Sequence, residues 1–192
     1  MNNLSYYALS ALAVLITLTI HEYAHAYAAY KMGDPTAKNL GRLTLNPLKH
    51  LDPVGAICML LFHIGWAKPV PINARNFKNP KKGFALSALA GPLSNVILGF
   101  VFSGGFILLL YILKLNLPEM DFYTVYSVLY RDYTIAPEAF SLKLLQNFVL
   151  FLEIFFSINI GLGIFNLLPI PPFDGSRLLN VIFPPKIYFG IM

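Results

Sequence analysis

Apolar residues fall in long blocks along this chain, and polar residues collect between them. The first block covers residues 4 to about 30, the second runs from about Gly83 to Leu113 and is rich in small residues, and the third runs from about Leu142 to Leu168. A helix over the first block is roughly 40 Å long, enough to cross a hydrocarbon core of about 30 Å with tilt. Each block is therefore expected to be a transmembrane helix. The first lacks a charged leader, since its first basic residue is Lys31, so it is expected to be an uncleaved span and not a removable signal.

Shorter features lie between the blocks. Pro53 to Trp66 is mostly apolar but too short to span, which suits a re-entrant or interfacial segment. The following Val70-Pro-Ile72 run is Pro-punctuated and partly β-branched, and predicts a small strand or hairpin dipping toward the membrane. An amphipathic surface helix is the competing expectation for this region. After the third block, Pro169, Pro171 and Pro172 must end the helix, because each lacks an N–H and clashes with the preceding turn. Gly161 and Gly163 predict loosening earlier still. Irregular backbone at membrane depth is tolerated only where protein buries it or a wet cavity accepts its polar groups, so this segment is expected to line a site. From Ser176 an apolar helix is expected to resume, and its end at Met192 reads as a truncation.

Composition turns this pattern into a class. Of 192 residues, 57% are hydrophobic and 12% charged, about half the charge of a soluble domain. A soluble fold and a disordered chain are both excluded. The expected fold is all-α: a polytopic membrane protein of about three core helices, with an extended or re-entrant element on the cytoplasmic side and a further C-terminal helix, as a single membrane-embedded domain over residues 1–192. The lone cysteine, Cys58, permits no intramolecular disulfide and no CxxC site.

Charge distribution sets the expected orientation. Residues 31–82 hold nine Lys/Arg against two Asp, whereas residues 114–141 hold two against four Asp/Glu. The positive-inside rule places the first region in the cytoplasm and the second outside. The formal net charge of +5 is thereby accounted for by the bilayer, with no nucleic acid as partner.

Within the first block stands His21-Glu22-Tyr-Ala-His25, an HExxH motif. His21 and His25 lie one turn apart on one helix face, so both imidazoles can reach one ion, and Glu22 projects beside it as a general base and acid. Burying three ionisable groups in apolar sequence costs several kcal/mol unless they are paired or bound to metal. Zinc is the expected ion, one per chain. Tyr23, Tyr27 and Tyr30 read as interface aromatics.

Depth selects among candidates for a third ligand. Glu119, Asp121, Asp132 and Glu138 fall in the external loop. Asp34 and Asp52 flank prolines and suit turns. Glu153 lies inside the third span nearer the outer leaflet, as a buried acid with a structural hydrogen bond or a secondary role. Asp174 follows the proline break and precedes Gly175, where a carboxylate is well oriented, although a plain helix cap would also place an Asp there. Asn166 could donate its amide to a developing oxyanion or satisfy broken backbone.

The chain resembles the site-2 proteases, intramembrane zinc metalloproteases, particularly their short prokaryotic members. The resemblance rests on HEYAH together with Gly41-Arg-Leu-Thr-Leu-Asn-Pro-Leu-Lys-His-Leu-Asp-Pro-Val-Gly55, Gly65-Trp-Ala-Lys-Pro-Val-Pro71, Ala90-Gly-Pro-Leu-Ser-Asn95, and Phe165-Asn-Leu-Leu-Pro169 through Asp174-Gly175. It implies that His21, His25 and Asp174 ligate zinc, that Glu22 is the base, and that Asn166 binds substrate or polarises the scissile carbonyl. It also implies that Asn95 lies near the site as a substrate-binding residue, and that Val70 and Asn73 bind substrate as part of an extended element holding an unwound strand.

The expected activity is regulated intramembrane proteolysis of membrane-protein substrates in the lipid bilayer of a prokaryotic plasma membrane, with the site toward the cytoplasm. The alternatives are another membrane-embedded zincin, using a downstream glutamate such as Glu153 as third ligand, and a non-enzymatic membrane metal-binding or transport protein.

Overall fold

The structure, a computed structural model, describes residues 3–62, 66–116 and 140–182. Among these the chain is helical, with α1 over Asn3–Lys31, α2 over Thr36–Asn39, α3 over Pro53–Phe62, α4 over Pro80–Asn116, α5 over Phe140–Leu167 and α6 over Ser176–Ile182. Three helices, α1, α4 and α5, are long and apolar enough to cross a membrane, and the protein is a polytopic all-α membrane protein. Most of the expected external loop, and the sequence after Ile182, lie outside the described residues.

The chain divides into two compact units. One comprises Met1–Val14 and Ile97–Asn159. In it the second half of α4 packs on α5 around buried Val149, which meets Phe106, Leu109, Leu110, Leu113 and Leu145. Ile107, Leu108, Tyr111, Ile112 and Phe148 are exposed, apolar surface suited to lipid. Glu153 is also exposed, which corrects the expectation of a buried acid at that position.

The other unit comprises Leu15–Val96 and Ile160–Met192, and it contains every residue of the candidate site. Helix α1 stops at Gly33, whose φ of +109° suits a residue without Cβ. Asp34 N–H reaches back to Ala29 O at 2.9 Å, closing the helix end. The Asp34 carboxylate then gathers donors from two parts of the chain. Thr36 N–H, Thr36 Oγ1 and Asn76 Nδ2 donate to Oδ1, and Asn73 N–H donates to Oδ2 at 2.7 Å. Burial alone would raise its pKa, but these hydrogen bonds from Thr36, Asn76 and Asn73 outweigh burial and hold it below the ordinary carboxylate value.

This hub anchors one end of an extended segment, residues 68–73. The other end is held where Leu51 and Ala67 form an antiparallel bridge, Lys68 N–H donates to His50 O at 2.8 Å and Arg42 Nη2 donates to Lys68 O at 2.5 Å. Asp52 caps α3 by accepting from Val54 and Gly55 N–H, the turn role its sequence position suggests. The expected strand or hairpin is thus an extended segment with one bridge, and the apolar run before it is helix α3. Hydrogen bonds to Asp34, Arg42 and Glu22 take three of its backbone groups, Asn73 N–H, Lys68 O and Val70 N–H, from pairing with a second strand.

Helix α5 continues past Gly161 and Gly163 to Leu167, so these glycines do not loosen it. A Cβ at Gly163 would lie 2.8 Å from Val96 Cγ2 and 3.1 Å from Pro92 O, so the glycine permits close approach of α4. The helix does end before the prolines, as expected, and Gly175 N–H folds the segment back by donating to Asn166 O at 2.7 Å.

Candidate metal centre

Helix periodicity puts His21 and His25 side by side on α1, with ring centroids 4.6 Å apart. Both are buried, at 4% exposure. The folded-back segment before α6 brings Asp174 to them: its Oδ2 lies 3.1 Å from His21 Nε2 and 3.0 Å from His25 Nε2. The two imidazole Nε2 atoms are themselves 3.0 Å apart. Three side chains from two distant stretches therefore aim one donor atom each at a common point.

The chemistry of that point can be tested from the surrounding hydrogen bonds. His25 Nδ1 lies 2.6 Å from the Ser87 carbonyl, which only accepts, so Nδ1 carries the proton and Nε2 presents its lone pair. That lone pair faces a carboxylate oxygen and a second imidazole. Acceptors converging in this way repel one another unless a cation or a proton stands between them. Two imidazole nitrogens and a carboxylate oxygen, leaving a fourth position open, are the donor set of catalytic zinc. The residues present fit the ion.

The wall behind the histidines is one face of α4. Ser87, Gly91 and Asn95 recur every fourth residue, so they line up along the helix. Ser87 takes His25 Nδ1, and Asn95 places its amide 3.0 Å from His21 Nδ1. Between them, a Cβ at Gly91 would lie 2.6 Å from His25 Cε1 and 2.8 Å from His21 Cε1. Glycine is needed there because the imidazoles occupy the space of a side chain.

Glu22 is buried, and its Oε2 accepts the N–H of Val70 at 3.0 Å. A cleft with about 230 Å³ of atom-free space is lined by Glu22, His25, Asp174, Val70, Ile72 and Arg177. Arg177 Nη1 stands 3.7 Å from Asp174 Oδ1, the carboxylate oxygen turned away from the histidines.

The structure thus brings His21, Glu22, His25 and Asp174 together. Val70 contributes its backbone to Glu22, while its side chain packs with Ala26 and Ala37. Asn73 uses its side chain to cap the short turn Ala74–Asn76. Asn166 donates its amide to Leu162 O at 3.0 Å, one turn back on α5. Asn95 is fully buried against His21. Sequence reading passed over Ser87 and Arg177, and treated Asp34 as a turn residue alone. The four-residue recurrence of Ser87, Gly91 and Asn95 was a usable signal for the wall behind the site.

An HExxH pair closed by a distant carboxylate, on a chain with three membrane-length helices, defines a membrane zinc metalloprotease. The chain belongs to peptidase family M50, which it matches over residues 9–186. It is 41% identical over 97% of its length to YwhC of Bacillus subtilis, named as a candidate zinc metalloprotease, and spans 77% of that protein. It is 26% identical over 97% of its length to the zinc metalloprotease MJ0392 of Methanocaldococcus jannaschii, spanning 38% of it. It is also 30% identical over 47% of its length to Rip2 of Mycolicibacterium smegmatis, another candidate zinc metalloprotease, spanning 36% of it. No solved structure matches the chain.

Proposed function

We propose that this protein is a site-2-type intramembrane endopeptidase, cleaving peptide bonds in or beside the transmembrane segments of other membrane proteins from the cytoplasmic side. The observation that carries this reading is the placement of Glu22 in the cleft that His25 and Asp174 also line. A metal-storage or transport site has no need of a base beside its ligands.

His21 Nε2, His25 Nε2 and Asp174 Oδ2 would hold the zinc. Bound there, zinc supplies Lewis acidity that polarises the scissile carbonyl and lowers the pKa of water to about 7. Glu22 takes the proton from the attacking water as oxygen bonds to the carbonyl carbon, and returns it to the amide nitrogen as the C–N bond breaks. The second water proton also ends on the leaving nitrogen, so the products are a carboxylate and an ammonium group. Val70 N–H fixes the Glu22 carboxylate through Oε2, so the base meets its proton in one orientation. Arg177 holds Asp174 from the far side.

The extended segment beside Glu22 supports the substrate class. A helical substrate hides its peptide bonds, so it must unwind locally, and an extended neighbour with backbone groups at hand can pair with the unwound strand. The basic region that contains this segment supports a cytoplasm-facing site in a plasma membrane.

The test is reconstitution in liposomes with a single-span membrane substrate. Mass spectrometry should find new termini inside or beside the span, lost on chelation and restored by zinc. Cleavage confined to loops well outside the bilayer, or persisting after complete metal removal, would contradict the reading.

A further inference from the structure

The side chain of Asn95 is fully buried, and its amide meets a histidine, His21. As placed, Nδ2 faces His21 Nδ1 at 3.0 Å, and Oδ1 is buried with no hydrogen-bond partner among the described residues. A buried amide oxygen left unsatisfied in an apolar span is costly, which points to a role tied to His21.

The two ends of the amide are nearly equal in shape but opposite in hydrogen bonding. If Nδ2 donates to His21 Nδ1, the neutral imidazole must carry its proton on Nε2, which then has no lone pair for a metal. If Oδ1 accepts from Nδ1–H, Nε2 is free to ligate. His25 is already fixed in that second state by the Ser87 carbonyl. The same face of α4, one turn either side of Gly91, thus holds a partner for the outer nitrogen of each histidine.

We propose that Asn95 is a positioning residue for zinc: with the ion bound it turns Oδ1 toward His21 and accepts the Nδ1–H, locking the tautomer that presents Nε2. Ser87 O and Asn95 Oδ1 then form a matched pair of acceptors behind the two ligand histidines. This rests on the reading of His21, His25 and Asp174 as zinc ligands. It assigns Asn95 no contact with substrate, because its side chain is enclosed.

Partners of this kind behind ligand histidines are worth about 10- to 100-fold in metal affinity. The experiment is a competition titration of zinc against a chelator for the full chain in detergent, comparing wild type with Asn95→Ala, Asn95→Leu and Asn95→Asp. Helicity by circular dichroism checks each variant for folding. Asp accepts but cannot donate, so Asn95→Asp should hold zinc within about threefold of wild type, while Ala and Leu weaken it about 10- to 100-fold. Wild-type affinity in Asn95→Ala overturns the proposal, as does an Asp variant weakened as much as Leu. Should the Asp variant not fold, ¹⁵N-histidine spectra of the zinc-loaded wild type decide: the proposal requires a proton on His21 Nδ1, and its absence there overturns it. A wild-type protein that binds no zinc at all sinks the underlying ligand assignment instead, which separates the two failures.

Discussion

Val70 donates its backbone N–H to Glu22 Oε2 at 3.0 Å, across 48 positions of sequence. The general base of the proposed mechanism is therefore oriented by main chain from the extended segment. That segment is in turn clamped by Arg42 on Lys68 O and by Asp34 on Asn73 N–H.

Removing that donor tests the relationship without touching a ligand. Val70→Pro deletes the N–H, and a hydrogen bond to a charged group is worth about 1.5–3 kcal/mol, or roughly 10- to 100-fold in rate. Zinc content should stay at the wild-type level while kcat falls by that factor. Val70→Ile keeps the N–H and should lose much less. Equal rates in Val70→Pro and wild type would show that Glu22 does not need this partner.

Gly91 makes a steric prediction. In Gly91→Ala the new methyl would meet both imidazoles, 2.6 Å from His25 Cε1 and 2.8 Å from His21 Cε1, forcing the ligands apart. Zinc affinity should drop more than about 10-fold, a change comparable to losing a supporting partner. Gly104→Ala, on the same helix but with open space at Cβ, should leave zinc binding unchanged and stabilise α4 by about 1 kcal/mol or less. Chelator competition reads the first effect and thermal unfolding the second.

The rival third ligand separates cleanly. Asp174→Ala should abolish stoichiometric zinc, because its Oδ2 stands 3.0–3.1 Å from both ligand nitrogens. Glu153→Gln should retain it, because Glu153 is exposed on α5. Metal analysis of the two purified variants is sufficient, and the reverse result would favour a zincin with a glutamate ligand.

Asp34 predicts a pH dependence of stability. Its carboxyl is held below its unfolded pKa of about 3.9 by donors from Thr36, Asn73 and Asn76. A depressed folded pKa contributes stability that is fully present above the unfolded value and is lost as pH falls through the folded one. The gap in unfolding temperature between wild type and Asp34→Ala should therefore be widest near neutrality and shrink as pH drops below about 4. A gap independent of pH would show that the charge is irrelevant to the clamp.

Much of the architecture was legible because it depends on local periodicity. The first span was expected over residues 4 to about 30 and α1 covers Asn3–Lys31; the third was expected from about Leu142 to Leu168 and α5 covers Phe140–Leu167. The HExxH spacing put two histidines on one face, and the proline break singled out Asp174. What escaped reading was carried by groups without a side-chain signal. The Ser87 carbonyl and the Val70 N–H are main-chain atoms, and any residue but proline could supply the latter. Asp34 looked like a turn residue because its further partners, Asn73 and Asn76, lie some forty positions away. Gly163 looked like a helix breaker because only the packed neighbour, Val96, reveals why a glycine is there.

In the proposed mechanism Glu22 does chemistry at a zinc site it does not help to build. Glu22→Gln keeps the shape of the side chain and an oxygen to accept from Val70 N–H, but has no basic carboxylate. Purified Glu22→Gln should contain about one zinc per chain, like the wild type, and release no product from a reconstituted single-span substrate; a general base contributes about 10²- to 10⁴-fold to the rate. Wild-type cleavage by a zinc-loaded Glu22→Gln protein would rule out Glu22 as the base.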